Sequence, residues 1–428
     1  MNQKIPGTRR EEFGRLLTRL KPLVLRFTGL SVARVVAMGI GVFTIAISAR
    51  WIGVEDYGRL AVASAIITTT SAMFSLGLPI FALRAAALGH SQATGYALFL
   101  NLSTSLAGAL VGFGIAIFTG SLNTLLIALI AASTAFEKNT EVRIGLGTEF
   151  GKSKIVNIII IARSLVWLGL MLIFHLFGFT ALTSFLIARL SAAVLAAALL
   201  AISVTGWPLT IKRPTDNSLD ILGSLATQKF ISSWRFLDVS IIGIVAGPIE
   251  AGLYSAVQRL MMPVISLGDN LRTVITGEIV RGSEKRARRN ASTFLAIIIA
   301  TTILFGILSI WSTPLIELVL GNEFTSGADA LRWGILAIPP AILVGLYLTI
   351  LQDKGLSQWT ARATGLNIAM ALGGALIGSY LYGATGAMFA YFFSFWVFAL
   401  IMYWKTRSIG RDKIVIFTPP ISEAMGIE

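Results

Sequence analysis

Ionisable side chains inside otherwise apolar stretches are the residues of this chain best placed to do chemistry. Arg34, Arg163, Arg189, Lys229, Arg235, Arg259 and Arg272 lie in such stretches, against fewer acids: Asp238, Asp269 and Glu278. A charge held in hydrocarbon costs about 3 kcal/mol on insertion scales, so it faces a cavity or a partner. Ser224, Gln228, Ser232, Arg235 and Asp238 recur at steps of three and four, which puts them on one helix face with Lys229 beside it. The following apolar stretch carries Ser255, Gln258, Arg259, Asp269, Asn270 and Thr273, with Pro263 among them. Ser64, Thr68, Ser71 and Ser75 form a further stripe. Together these faces imply a hydrated central cavity of positive potential. Such a cavity selects an anion. A phosphate or diphosphate head group suits it best, because guanidinium binds phosphate oxygens bidentately. Some of these groups also have plainer readings. Arg235 and Asp238, three apart, suit an ion pair; Arg34 is near enough to a helix end to snorkel; Arg272 suits a flanking position; and a Ser/Thr stripe serves helix packing.

The elements that must position these groups are membrane helices. The 428 residues are 55% hydrophobic and 13% charged, with a mean hydropathy of +0.79. Polar breaks divide them into about twelve apolar stretches, each near the roughly 20 residues needed to cross a bilayer. The expected fold is an all-α polytopic membrane protein of two six-helix lobes. Residues 1–26 read as a cytoplasmic basic amphipathic segment, 27–204 as the N-lobe, 205–220 as a cytoplasmic linker, 221–404 as the C-lobe and 405–428 as a cytoplasmic tail. The fourth stretch, Leu122–Ile144, ends among Glu137, Lys138, Glu141 and Arg143, which read as a cytoplasmic helix end. Most of the 35 basic residues fall in alternate loops, which fixes both termini on the cytoplasmic side. The same rule accounts for most of the net charge of +14, so nucleic acid is not an expected partner.

The halves carry a weak internal repeat. Gly53-Val-Glu-Asp-Tyr-Gly58 joins helices one and two, and Gly247-Pro-Ile-Glu-Ala-Gly252 joins helices seven and eight. His175-Leu-Phe-Gly-Phe-Thr180 and Tyr380-Leu-Tyr-Gly-Ala-Thr385 occupy the matching later turns. Two lobes of one orientation suit alternating access.

Several chemistries are excluded. Cysteine is absent and the two histidines, His90 and His175, are far apart, so thiolate sites, disulfides and a histidine metal site are not expected. A Gly-x4-Gly-Lys-Ser/Thr phosphate loop is absent too, so ATP hydrolysis within this chain is not the expected energy source. No cofactor and no enzymatic activity are expected.

Ala49-Arg-Trp-Ile-Gly-Val-Glu-Asp-Tyr-Gly58, followed by Leu76-Gly-Leu-Pro79 and Arg84, resembles the N-terminal signature of the Wzx-like polysaccharide flippases. Asp238 with Gly252-Leu-Tyr-Ser-Ala-Val-Gln-Arg-Leu260 resembles their second-half signature, and Leu318–Phe324 and Gly383–Ala387 sit where that family has similar runs. The resemblance covers about Phe27 to Lys405. It implies the MOP superfamily fold, a V of two lobes, in a bacterial inner-membrane carrier. That carrier moves undecaprenyl-diphosphate-linked oligosaccharide to the periplasmic leaflet for O-antigen, capsule or exopolysaccharide synthesis, beside other polysaccharide-assembly proteins. The related lipid II flippases use cavity arginines for the diphosphate, and Arg34 lies on the corresponding first helix. The resemblance also implies a coupling ion, H+ or Na+, for which Asp238 and Asp269 are the candidates. The alternatives are a cation-coupled drug exporter of the MATE type, which relies on buried acids, and a membrane polymerase or ligase, which needs a large external catalytic loop.

Overall fold

The computed structural model describes residues 33–120, 122–204, 209–212, 222–281, 300–353 and 356–408, and among them every regular element is helical. The N-terminal segment, most of the linker, the basic run 282–289 and most of the tail lie outside the described residues, as do the side chains of Ser224, Gln228, Asp269, Asn270, Arg272, Thr273 and Glu278. The N-lobe comprises α1 (Ala33–Ile52), α2 (Val54–Phe74), α3 (Leu78–Ala87), α4 (Ser91–Phe118), α5 (Thr124–Glu149), α6 (Ser153–Leu176) and α7 (Ala181–Ser203). The C-lobe comprises α8 (Leu222–Ser233), a 3₁₀ turn (Trp234–Leu237), α9 (Asp238–Val245) and α10 (Pro248–Arg281). It continues with α11 (Ala300–Ile310), α12 (Ser312–Leu320), a second 3₁₀ turn (Asn322–Gly327), α13 (Ala328–Asp353) and α14 (Ser357–Ser408).

Helix is what the bilayer permits, since backbone polar groups in hydrocarbon must be satisfied within the segment. Each of the about twelve expected crossings overlaps helix among the described residues, six to eight of the spans being long and apolar enough to cross a bilayer, and several are broken. α2 and α3 meet at a bend of 43°, and α11 and α12 at one of 71°. α14 holds the last two crossings, reversed at Tyr382–Gly383. α8 and α9 form a crossing interrupted by the 3₁₀ turn, immediately before Asp238. Outward faces are apolar, with Phe43, Leu110, Ile158, Ile202, Ile244 and Ile303 all exposed, as a lipid-facing surface requires. The chain is a multi-pass membrane protein.

Within the N-lobe, Gly108 and Gly112 of α4 let that helix lie directly on α2, because a Cβ on either would meet the α2 backbone at 2.7 Å. The main apolar core crosses from one lobe to the other. It includes Tyr57, Ile127 and Phe185 of the N-lobe and Tyr254, Phe324 and Met388 of the C-lobe.

The internal repeat has a structural basis. Gly53, Gly178, Gly247 and Gly383 all take positive φ (81°, 87°, 92° and 57°), so equivalent turns in the two lobes are built on equivalent glycines. The second glycines of the first pair do something different. Gly58 faces the Pro248 carbonyl and the Gly252 amide, and Gly252 faces the Val54 carbonyl and lies against Gly58. The repeat thus meets itself where α2 and α10 touch. Around that point Trp51 stacks on His175 at 4.2 Å, and Glu250 accepts from the Ala384 amide at 2.6 Å. Arg50 reaches across from α1 and donates to the carbonyls of Val319 (3.1 Å) and Leu318 at the C-terminus of α12. A cation there satisfies carbonyls that the helix leaves open. The Gly58–Gly252 contact and Arg50 join the lobes at the end opposite the basic loops, while the Trp51–His175 and Glu250–Ala384 contacts brace each lobe there.

Candidate functional site

Between the lobes lies a cavity of about 370 Å³. α2 contributes Ser64 and Thr68, α5 Glu137, α6 Trp167 and α7 Arg189. The C-lobe contributes Phe236, Asp238, Ser255, Gln258 and Arg259. Small and hydroxyl residues on one α2 face leave the space open, and aromatic rings form its apolar portion. The α2 stripe divides: Ser64 and Thr68 face the cavity, whereas Ser71 packs under Gly108 of α4.

On the N-lobe wall a carboxylate holds two guanidiniums. Arg189 donates from Nε and Nη2 to the two oxygens of Glu137, at 3.2 and 2.7 Å. Arg163 donates from Nη2 to Oε1 at 2.6 Å. The three residues come from three helices. Glu137 lies 12 residues from the Glu149 end of α5, Arg163 10 residues from Ser153, and Arg189 14 residues from Ser203. At 1.5 Å per residue these are about 15–21 Å of helix, so all three residues lie well inside their helices. Glu137 therefore does not mark the end of its helix, as the sequence suggested. α5 does not stop at Ile144 but runs on to Glu149. The cluster also corrects the picture of Arg163 and Arg189 as uncompensated cations: one carboxylate serves both, leaving one net positive charge. Arg143, expected among the cytoplasmic loop cations, is buried on the same helix.

The C-lobe wall centres on Asp238, the first residue of α9. The break between α8 and α9 sets its carboxylate at a helix N-terminus, where the Val239 amide donates to Oδ1 at 2.8 Å. Two side chains of α10, one turn apart, reach Oδ2: Tyr254 Oη at 2.9 Å and Gln258 Nε2 at 2.6 Å. Asp238 is buried. The Arg235–Asp238 ion pair that their spacing suited does not form; Arg235 is exposed and lies over the Phe236 ring, 5.3 Å from its centroid. Arg259, one residue beyond Gln258, donates to Tyr57 Oη of the other lobe at 3.0 Å and sits over that ring.

Of the sequence candidates, Arg189, Asp238 and Arg259 line one cavity, with Arg163 held behind Glu137. Arg34, Lys229 and Arg235 are not part of the lining. Lys229 is close enough to feel Lys138, Glu141 and Arg235 electrostatically. Asp269 has its side chain outside the described residues. Sequence reasoning missed Glu137, Tyr254 and Tyr57. The available signal for Glu137 was the length of uninterrupted helix-forming sequence beyond it.

No family model matches the chain, and no curated protein matches it by sequence. Solved structures do. An inward-facing multidrug resistance MATE family transporter of the MOP superfamily superposes with a TM-score of 0.65 at 13% identity, covering 86% of this chain and 94% of the other. The lipid II flippase MurJ in an inward closed conformation gives 0.66 at 14%, covering 88% and 87%. A MOP superfamily transporter from Pyrococcus furiosus, described for a binding pocket of reverse polarity that suggests a different function, gives 0.56 at 15%, covering 90% and 95%. The chain has the fold of the MOP superfamily transporters.

Proposed function

We propose that this protein is a carrier for a lipid-linked anion. It moves undecaprenyl-diphosphate-linked oligosaccharide from the cytoplasmic to the periplasmic leaflet of a bacterial inner membrane by alternating access. The lobes are residues 27–204 and 221–404, joined by the cytoplasmic linker 205–220, with both termini cytoplasmic. The observation that carries this reading is charge at the cavity. Arg189 and Arg259 line it, with Arg163 bound to Glu137 and Lys229 and Arg235 further out, against two carboxylates, Glu137 and Asp238. A diphosphate brings the missing negative charge and oxygens that match guanidinium forks. The lobes touch through Gly58 and Gly252 at the end opposite the basic loops, which supports a state open toward the cytoplasm. In that state the head group enters between the lobes while its lipid tail stays in the bilayer. Release needs those contacts to part. Asp238 is the coupling-ion candidate, with Asp269 second; protonation or Na+ binding at Asp238 changes what Tyr254 and Gln258 hold, and so the packing of α9 on α10.

Glu137 and Asp238 also support a second reading, a cation exporter of the MATE type, since that chemistry needs buried carboxylates. Glu137 is already held by two arginines, which favours the first. The test is export in cells that depend on this protein for surface glycan. Arg189→Ala and Arg259→Ala are each expected to lower surface glycan at least tenfold while the protein still inserts. Normal glycan export by both variants would remove the proposed head-group site.

A further inference from the structure

The Glu137 cluster has a geometry that a purely structural ion pair does not need. Two guanidinium forks, from helices α6 and α7, converge on one carboxylate from α5, and the residues are 26 and 52 positions apart. Arg189 grips the carboxylate with two parallel bonds, the arrangement guanidinium also makes with phosphate. The cluster is not sealed. Glu137 and Arg189 both line the cavity, and the side chains of Glu137, Arg189 and Arg163 keep 19%, 15% and 27% of their surface accessible. An entering anion therefore meets the same nitrogens that the carboxylate now occupies.

We infer that Glu137 is a resident counter-ion, a place-holder that sits on Arg163 and Arg189 in the empty carrier and gives way to a polyanionic head group. The inference rests on the proposed function and names the residue that sets its selectivity. Two adjacent guanidiniums in a poorly hydrated wall repel one another when nothing lies between them. A carrier that returns empty must keep them together without its cargo. A tethered carboxylate does this and is always at hand. It also sets a threshold. A singly charged anion offers the arginines no more than Glu137 already gives, so it does not displace it. A diphosphate brings more charge and more acceptor oxygens, and it wins the exchange. The place-holder thus rejects chloride and simple carboxylates, which are far more abundant than any lipid-linked cargo.

The test is calorimetric titration of the purified full-length protein in detergent, at fixed ionic strength, with inorganic pyrophosphate and with acetate as probes. Glu137→Gln keeps the side chain's shape and removes its charge. It is expected to bind pyrophosphate at least tenfold more tightly than the unaltered protein and to bind acetate, which the unaltered protein rejects. Equal or weaker pyrophosphate binding by Glu137→Gln would overturn the place-holder and leave Glu137 as scaffold. Should that variant fail to fold, Glu137→Asp, one methylene shorter and so a weaker hold on the two arginines, is expected to bind pyrophosphate more tightly than the unaltered protein; no gain there is equally fatal. The two proposals separate cleanly. If Arg163→Ala and Arg189→Ala bind pyrophosphate as the unaltered protein does, the head-group site itself is wrong, whatever Glu137 does.

Discussion

Replacing Gly252 by leucine is expected to stop transport and leave the lobes unable to close at the end opposite the basic loops. Any Cβ at residue 252 meets the Val54 carbonyl and then Gly58 N and Cα at 3.1 and 3.2 Å. These are backbone atoms, so no side chain can turn aside. Overpacking in a helical core costs about 1–3 kcal/mol where neighbours relax. Here the relaxation open to the protein is to part α2 from α10. The absence of cysteine makes this measurable without background. A single cysteine at Ser64, which lines the cavity, is slow to label with an impermeant maleimide applied from the Gly53–Gly58 side while the lobes touch there. Adding Gly252→Leu is expected to raise that labelling rate at least tenfold. An unchanged rate means that the glycine contact does not close the cavity.

Asp238→Leu is expected to be the most destabilising single change in the cavity wall. It leaves the Tyr254 hydroxyl and one Gln258 amide donor without their shared acceptor. Each buried unsatisfied donor costs about 1–3 kcal/mol. The Val239 amide loses its Oδ1 partner as well. A markedly lower unfolding midpoint in detergent is the expected readout. Asp238→Asn keeps an oxygen for Tyr254 and should recover most of that loss. If Asp238 also carries the coupling ion, the asparagine variant folds but no longer drives export from an ion gradient. Gradient-driven export by a stable Asp238→Asn protein would confine Asp238 to a structural role.

The helices were legible because the bilayer imposes a simple rule, apolar stretches of sufficient length between polar breaks. The paired glycine turns were legible too, as a repeat at equivalent topological positions. What remained hidden was which repeat elements touch. Nothing in the residues from Gly53 to Gly58 indicates that Gly58 will lie on Gly252 rather than simply turn the chain. The site was legible as composition, an excess of cations in apolar stretches, but not as pairing. Arg163 and Arg189 find Glu137 through the packing of three helices, and no local spacing encodes that. Arg235 and Asp238 show the converse. Their three-residue spacing offers a pair, yet α10 brings Tyr254 and Gln258 to Asp238, and Arg235 turns outward. Charged residues near the end of an apolar stretch hid the helix boundary, because α5 stays helical through Glu137 and Arg143 to Glu149.

The most direct measurement places the purified protein in liposomes with a fluorescent undecaprenyl-diphosphate sugar in one leaflet and follows its appearance in the other. Parallel vesicles report uptake of an organic cation. The account predicts that the diphosphate lipid crosses, that Arg189→Ala slows it at least tenfold, and that the organic cation does not enter. Entry of the organic cation with no movement of the diphosphate lipid would contradict an anion-selecting cavity between the lobes.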